Sequence, residues 1–299
     1  AADGPVALVG PTGSGKSALA MAVAETLDAE IVAVDAFTVY RGMDVGTAKP
    51  TPAERRRCRH HMIDVLSPQD QCSVEWFQSA ARAAIHDVTV RGRTPLLVGG
   101  SGLYFRAVVD PLEFPPTDAA VRAAVEERYR DAPTQAHADL AIIDPEAAAR
   151  IDPGNVRRAV RALEVYDLTG RPFSDWRRAW DRWDSVYDSL TVVGVGMDRP
   201  TLAAALDRRV DSMVAQGWLD EARRLAQQPL SATARHAIGY AELLDHLAGG
   251  VALERAVEQI KARTRHYAVR QDRWFRTDPR VQWTTADDAP DLLRTLCTS

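Results

Sequence analysis

Residues 6–20 read VALVGPTGSGKSALA. An apolar run, Val6 to Val9, breaks into Gly10-Pro11-Thr12-Gly13-Ser14-Gly15-Lys16-Ser17, and helix formers follow. The spacing is G-x-x-x-x-G-K-[ST], and the flanks read as a strand before it and a helix after it, which is the setting of a phosphate-binding loop. Glycines let backbone N–H groups turn toward phosphate oxygens. The following helix adds its positive N-terminus, Lys16 a point charge and Ser17 a hydroxyl for Mg²⁺. The stretch from Gly10 to Ser17 therefore predicts a di- or triphosphate ligand. It leaves open which compound that is and what becomes of it.

Working outward, residues 5–9, EIVAV at 30–34 and TPLLVGG at 94–100 read as short buried strands, with helical segments at 17–27 and 74–90 between them. Strands alternating with helices predict a parallel sheet covered on both faces, an α/β core of the P-loop NTPase type. Ligands of such sheets gather at the carboxyl ends of the strands. Gly10, Asp35 and Gly99 all fall at such ends, so three segments converge on one crevice. After Asp110 the pattern changes. PLEFPPTD is a proline-rich linker, and 118–130, 134–142, 145–151 and 155–168 read as helices. SLTVVGVGMD at 189–198 returns to strand, and 200–228 and 233–276 are helical. The expected organisation is a core made of 1–113 and 187–299, interrupted by a helical insertion at 114–186.

The totals narrow the class. Of the 299 residues, 46% are hydrophobic and 26% charged, as in an ordinary soluble globular protein. No apolar run reaches the roughly 18 residues of a membrane helix, so no membrane partner is expected. The start AADGP lacks the basic opening of a signal peptide, and the expected location is cytoplasmic. Cys58, Cys72 and Cys297 share no metal-ligand spacing and read as free thiols. Nothing in the chain points beyond a monomer. Net charge is −4, and three lysines leave arginine to supply the other 34 of 37 basic residues. The arginines cluster, at 150, 157, 158, 161, 171, 177, 178 and 182 and again from Arg255 to Arg276. Two readings stand: solvated helix faces balanced by acids, or a surface for a nucleic-acid backbone.

A phosphate loop alone would suit a kinase. Two stretches pull away from that. In VDAFTVYRGMDVGTAKP, 34–50, a carboxylate, Asp35, stands beside the loop, where it serves either as a metal-binding acid or as a general base for an acceptor. In VGGSGLYFRAVV, 98–109, the third strand ends in glycines and a hydroxyl instead of an acid.

Seven stretches together carry a resemblance. They are GPTGSGKS (10–17), VDAFTVYRGMDVGTAKP, HHMIDV (60–65), LLVGGSGLYFRA (96–107), RRAVRALEVYDLTGRP (157–172), HAIGYAEL (236–243) and TRHYAVRQDRWFR (264–276). In this order the chain resembles the tRNA dimethylallyltransferase family. The resemblance implies transfer of a dimethylallyl group from dimethylallyl diphosphate to N6 of the adenine just 3′ of the anticodon, in tRNAs that read codons beginning with U. It implies Mg²⁺ as cofactor. Lys16, Ser17 and Asp35 become the catalytic set, with Asp35 as base, and Arg209 joins the loop in binding the diphosphate. For tRNA it carries over Asp35, Ala36, Phe37 and Thr38, then Ser101 and Arg122. It adds Arg157, Arg158, Ala159, Val160 and Arg161, and finally His236, Ala237, Ile238, Gly239, Tyr240 and Ala241. A base in a folded stem-loop must be extruded to react, so an Arg-rich insertion would hold the anticodon stem while the core does the chemistry. Three departures each remove a side chain usual in the family: Ala36 for a usual serine, Val269 for a usual lysine, and Ala205-Leu206 for a usual Arg-Ile. The alternatives are a kinase of the same loop class and an adenylate isopentenyltransferase, which needs no anticodon-holding insertion.

Overall fold

The computed structural model describes residues 4–298, with side chains through Thr295, so the Cys297 thiol lies outside the described residues. Cys58 and Cys72 are buried free thiols. The chain forms two compact units, one running to Val109 and resuming at Ser185, the other spanning Asp110–Asp184.

The first unit is built on a six-stranded sheet of β1 (Val6–Val9), β2 (Ala29–Val34), β3 (His60–His61), β4 (Thr94–Gly99), β5 (Thr191–Val195) and β6 (Val281–Thr284), in the order β3-β2-β4-β1-β5-β6. Every pairing is parallel, and Val9 at the end of β1 lies between Gly99 of β4 and Gly194 of β5. Parallel strands covered on both faces are apolar at every position, and β1 is buried throughout. Its side chains alternate between two cores. Ala7 and Val9 join Phe77, Ile85, Val210 and Phe275 on one face, while Val6 and Leu8 join Leu19, Val23 and Leu293 on the other. With β1 in the middle, the loop that follows it sits at the centre of the sheet's carboxyl edge.

The structure refines the helical expectations. The run 200–228 is two helices, Arg199–Ala215 and Trp218–Leu225, parted at Gly217, whose φ of 95° ends the first. The run 233–276 is three helices, Ala232–Arg235, Tyr240–Leu247 and Leu253–Phe275. Two strands not expected from the sequence, β3 and β6, flank the sheet. Past β4 the chain turns through Gly100 and Ser101 into the helix Gly102–Val109. Among the described residues no helix is long and apolar enough to cross a membrane.

The second unit is helical: Ala119–Arg128, Gln135–Ile143, Pro145–Arg150 and Val156–Thr169, then a 3₁₀ segment, Phe173–Asp181. Asp118 accepts hydrogen bonds from the N–H groups of Ala120 and Val121, and Asn155 from Arg158, so these two helices start on side-chain caps. Val125, Leu140, Ile151, Val160 and Leu163 make up its own core.

Candidate active site

The phosphate loop takes its shape from glycine. Gly13 and Gly15 adopt φ of 83° and 89°, a region costly for other residues. A Cβ on Gly13 would also stand 2.7 Å from Leu206 Cδ2. The helix Lys16–Ala24 then begins without a side-chain cap, leaving first-turn N–H groups as donors. Lys16 is buried and donates from Nζ to the Pro11 carbonyl at 2.5 Å. Burial, and then the Arg209 guanidinium, lower its pKa to about 7 against the opposing pull of Asp35.

Asp35 follows β2 directly. Its Oδ1 accepts hydrogen bonds from Phe37 N at 2.7 Å and Thr38 N at 3.3 Å. Its Oδ2 has no hydrogen-bond partner among the described residues. Burial raises the carboxyl pKa despite those bonds and the charges of Arg209 and Lys16. Arg209, on the helix Arg199–Ala215, makes no side-chain hydrogen bond or ion pair among the described residues. Burial lowers its pKa, with Asp35 opposing. A carboxylate made more basic by burial and two cations with no ion pair among the described residues thus line one cavity of about 580 Å³.

Of the residues expected at the site, Thr12, Gly13, Gly15, Lys16, Ser17, Asp35, Phe37, Thr38, Arg209, Ala237, Ile238 and Tyr240 line this cavity. Gly10, Pro11, Ser14, Ala36, Ser101, His236, Gly239 and Ala241 do not. Ser14 Oγ is buried without a partner among the described residues, and Ala36 is buried. His236 is exposed, its Nδ1 2.6 Å from the Ala232 carbonyl oxygen. Leu206 is buried with Leu202 and Ala268 under the loop. There it is apolar support, so leucine for isoleucine removes no polar group. Ala205 lines the cavity and Val269 is half-buried.

The expected arginines of the second unit divide into two kinds. Glu164, fully buried, accepts from Arg122 Nε at 2.9 Å and pairs with Arg161 at 3.0 Å. Arg161 also donates to the Pro115 and Pro116 carbonyls. Both guanidiniums are therefore committed to holding the unit together. Arg157 and Arg158 are exposed and make no side-chain bond among the described residues. Ala159 and Val160 belong to the core of the unit.

Sequence reasoning missed the residues that hold the cavity walls. Glu221, buried, accepts from the N–H groups of Asp44, Val45 and Gly46 at 2.8, 2.9 and 3.2 Å and from Tyr240 Oη at 2.6 Å. It ties the loop after Asp35 to the segment 236–241. Lys49 lines the cavity, but its Nζ is spent on Tyr40 O, Asp44 and Asp64 at 2.5, 2.7 and 2.6 Å. Gln271 Oε1 accepts from Thr12 N at 2.8 Å. Lys49 and Gln271 lie inside stretches singled out for resemblance, yet no residue-level signal marked them. Gly239, at φ 92°, packs so closely on Trp218 that a Cβ would sit 1.9 Å from Cζ2. Gly239→Ala adds backbone strain to this overlap and is expected to cost about 3 kcal/mol or more. A urea midpoint equal to that of the parent chain would show that the packing here gives way freely.

The donor set decides what metal can be held. Among the described residues no group of three His, Cys, Asp or Glu side chains could bind an ion. Ser17 is exposed at the cavity, and Asp35 Oδ2 has no hydrogen-bond partner among the described residues, so each can offer an oxygen. Mg²⁺ typically keeps several waters and binds through one or two protein ligands plus substrate phosphates. The donors present suit an ion of that kind.

The chain matches the IPP transferase family over residues 38–278 and the isopentenyl transferase family over residues 5–69. It is 49% identical over 287 residues to the tRNA dimethylallyltransferase of Kocuria rhizophila, covering 95% of this chain and 90% of that protein. It is 50% identical over 288 residues to that of a Nocardioides species, covering 95% and 91%. Among solved structures it resembles the tRNA isopentenylpyrophosphate transferase of Bacillus halodurans, with TM-score 0.73 and 37% identity over 99% of this chain and 96% of that one. It also resembles a eukaryotic dimethylallyltransferase acting on tRNA, with TM-score 0.83 and 25% identity over 98% and 77%.

Proposed function

The chain belongs to the IPP transferase family, and from that premise we propose that it moves a dimethylallyl group from dimethylallyl diphosphate to N6 of the adenine 3′-adjacent to the anticodon, in tRNAs reading codons that begin with U. The observation that carries this is the placement of Asp35 Oδ2, free of partners, in one cavity with Lys16 and Arg209. The bond from N6 to C1 of the allyl group forms as the bond from C1 to the diphosphate oxygen breaks, and the electron pair leaves with the diphosphate. Lys16, Arg209 and the loop N–H groups meet the negative charge that builds on its oxygens. Asp35 takes the N6 proton, and its raised pKa suits a base. Phe37 N and Thr38 N fix Oδ1, so the carboxylate presents Oδ2. Ser17 would help to hold Mg²⁺, which would supply positive charge at the leaving group. On this reading the chain works in the cytoplasm and as a monomer, since one chain supplies loop, base and cations.

The test is incubation of the chain with labelled dimethylallyl diphosphate and unmodified tRNA, beside free adenosine monophosphate and beside ATP with no tRNA. Label on the adenine next to the anticodon is the expected result. Label on the free nucleotide alone, or ATP consumption in its place, overturns the assignment.

The two kinds of arginine give a second expectation. Arg157→Ala with Arg158→Ala should weaken tRNA binding and flatten the slope of log affinity against log salt by about one unit for each phosphate these side chains neutralise. Diphosphate affinity should not move. Arg122→Ala should instead destabilise the second unit, because it takes one partner from the buried Glu164. An unchanged salt slope in the double variant would return Arg157 and Arg158 to plain solvation.

A further inference from the structure

Lys49 is a cation on the wall of the cavity, yet its partners are two acids and a carbonyl. Its side chain is 2% exposed. Its Nζ donates to the Tyr40 carbonyl, Asp44 Oδ1 and Asp64 Oδ1. An ammonium has three donors, so none is left for a phosphate oxygen. What these bonds hold is the turn that carries Asp35, and two hydrogen-bonded paths lead from Nζ to Asp35 Oδ1. In one, Lys49 binds Tyr40 O, Tyr40 N donates to Phe37 O at 3.2 Å, and Phe37 N donates to Asp35 Oδ1. In the other, Lys49 binds Asp64, Asp64 N donates to Thr38 O at 3.2 Å, and Thr38 N donates to Asp35 Oδ1. The two paths close a ring that joins the loop after β2 to the loop after β3. Backbone strain falls on the same ring. Of the four non-glycine residues with positive φ among the described residues, Ala48 at 49° precedes Lys49 and Asp64 at 57° accepts from it. Such backbone persists only where its surroundings over-determine it.

We propose that Lys49 is a positioning residue, whose ammonium locks the turn from Asp35 to Tyr40 onto Asp64 and so aims the Asp35 carboxylate into the cavity. The inference rests on the prenyl-transfer reading above. No helix or strand spans 35–51, so the turn depends on anchors of this kind. A base displaced by about 1 Å costs roughly 10²-fold in rate.

The parent chain is assayed first, and failure to prenylate tRNA there defeats the functional assignment and not this inference. With an active parent, Lys49→Met keeps the length of the side chain and removes all three donors. Single-turnover transfer with both substrates saturating is expected to fall by roughly 10²-fold, while the dissociation constant of a non-hydrolysable diphosphate analogue stays within a few-fold. In an Asp35→Asn chain the same substitution should cost little more, because groups that act as a unit are not additive. Asp64→Asn suits a positive φ and weakens the clamp from its other side with the ammonium kept. A smaller fall in rate is expected there, again with diphosphate affinity held, and this variant carries the test if the methionine chain does not fold. Full single-turnover rate in Lys49→Met, even with a lower melting temperature, reduces Lys49 to bracing the fold and overturns the proposal. So does full rate in Asp64→Asn where that variant carries the test. A loss of diphosphate affinity beyond tenfold makes Lys49 a phosphate ligand, and an undiminished loss of rate in the Asp35→Asn chain separates it from the base; either result overturns the proposal as well.

Discussion

Asp35→Asn is expected to lower single-turnover transfer by about 10²–10⁴-fold, the usual contribution of a positioned general base, while both substrates bind within a few-fold of normal. The amide keeps the oxygen that accepts from Phe37 N and Thr38 N, so the turn after β2 should stand. What disappears is an anionic Oδ2 able to take the N6 proton. One side effect runs through Lys16, whose pKa Asp35 helps to raise. Without the carboxylate the free amine titrates lower still, but a bound diphosphate restores the missing negative charge beside it. Measuring the rate across a Mg²⁺ titration separates a base from a metal ligand. Strong rescue by extra Mg²⁺, together with weakened diphosphate binding, would mean that Asp35 serves the ion.

Lys16→Ala should abolish measurable transfer and weaken diphosphate binding by about 1.5–3 kcal/mol, the range for a hydrogen bond to a charged group, or roughly 10- to 150-fold in Kd. The lysine also sets a pH signature with a definite sign. Its pKa near 7 means that the protein alone is losing this charge as pH rises through neutrality. An anion that binds the charged form must then draw a proton in, so Kd should increase by up to about tenfold per pH unit above 7. Isothermal titration with a non-hydrolysable analogue ionised throughout that range tests both statements. The slope should be present in the parent chain and absent from Lys16→Ala. Equal affinity in the two chains would remove Lys16 from the cradle.

The strands that were legible in the sequence are those covered on both faces. β1, β2, β4 and β5 are apolar runs with turn residues at their ends. β3 is two histidines and β6 is mostly half-buried, so neither leaves an apolar pattern. The phosphate loop was legible because its chemistry is local, and Asp35 because a strand end puts it beside that loop. Glu221 and Gln271 were not, since their partners are backbone N–H groups at Asp44–Gly46 and Thr12. A backbone amide has no letter in the sequence, and nothing local marks the residue that will meet it. The arginines fail for a related reason. Arg161 and Arg158 look alike until Glu164 is seen to be buried and already shared with Arg122.

The bond between Thr12 and Gln271 spans 259 residues. A ribosome adding roughly 5–20 residues per second therefore takes on the order of 10–50 s between making the two. During that interval the loop can follow its strand and enter its helix, yet the side chain that fixes Thr12 does not exist. Pairings this far apart in sequence also slow the closing stage of folding, since the chain entropy between them must be lost before the bond forms. A nascent chain stalled or cut ahead of the helix Leu253–Phe275 carries the whole loop motif without its brace. The segment that announces this fold is made early and is among the last to reach its working geometry.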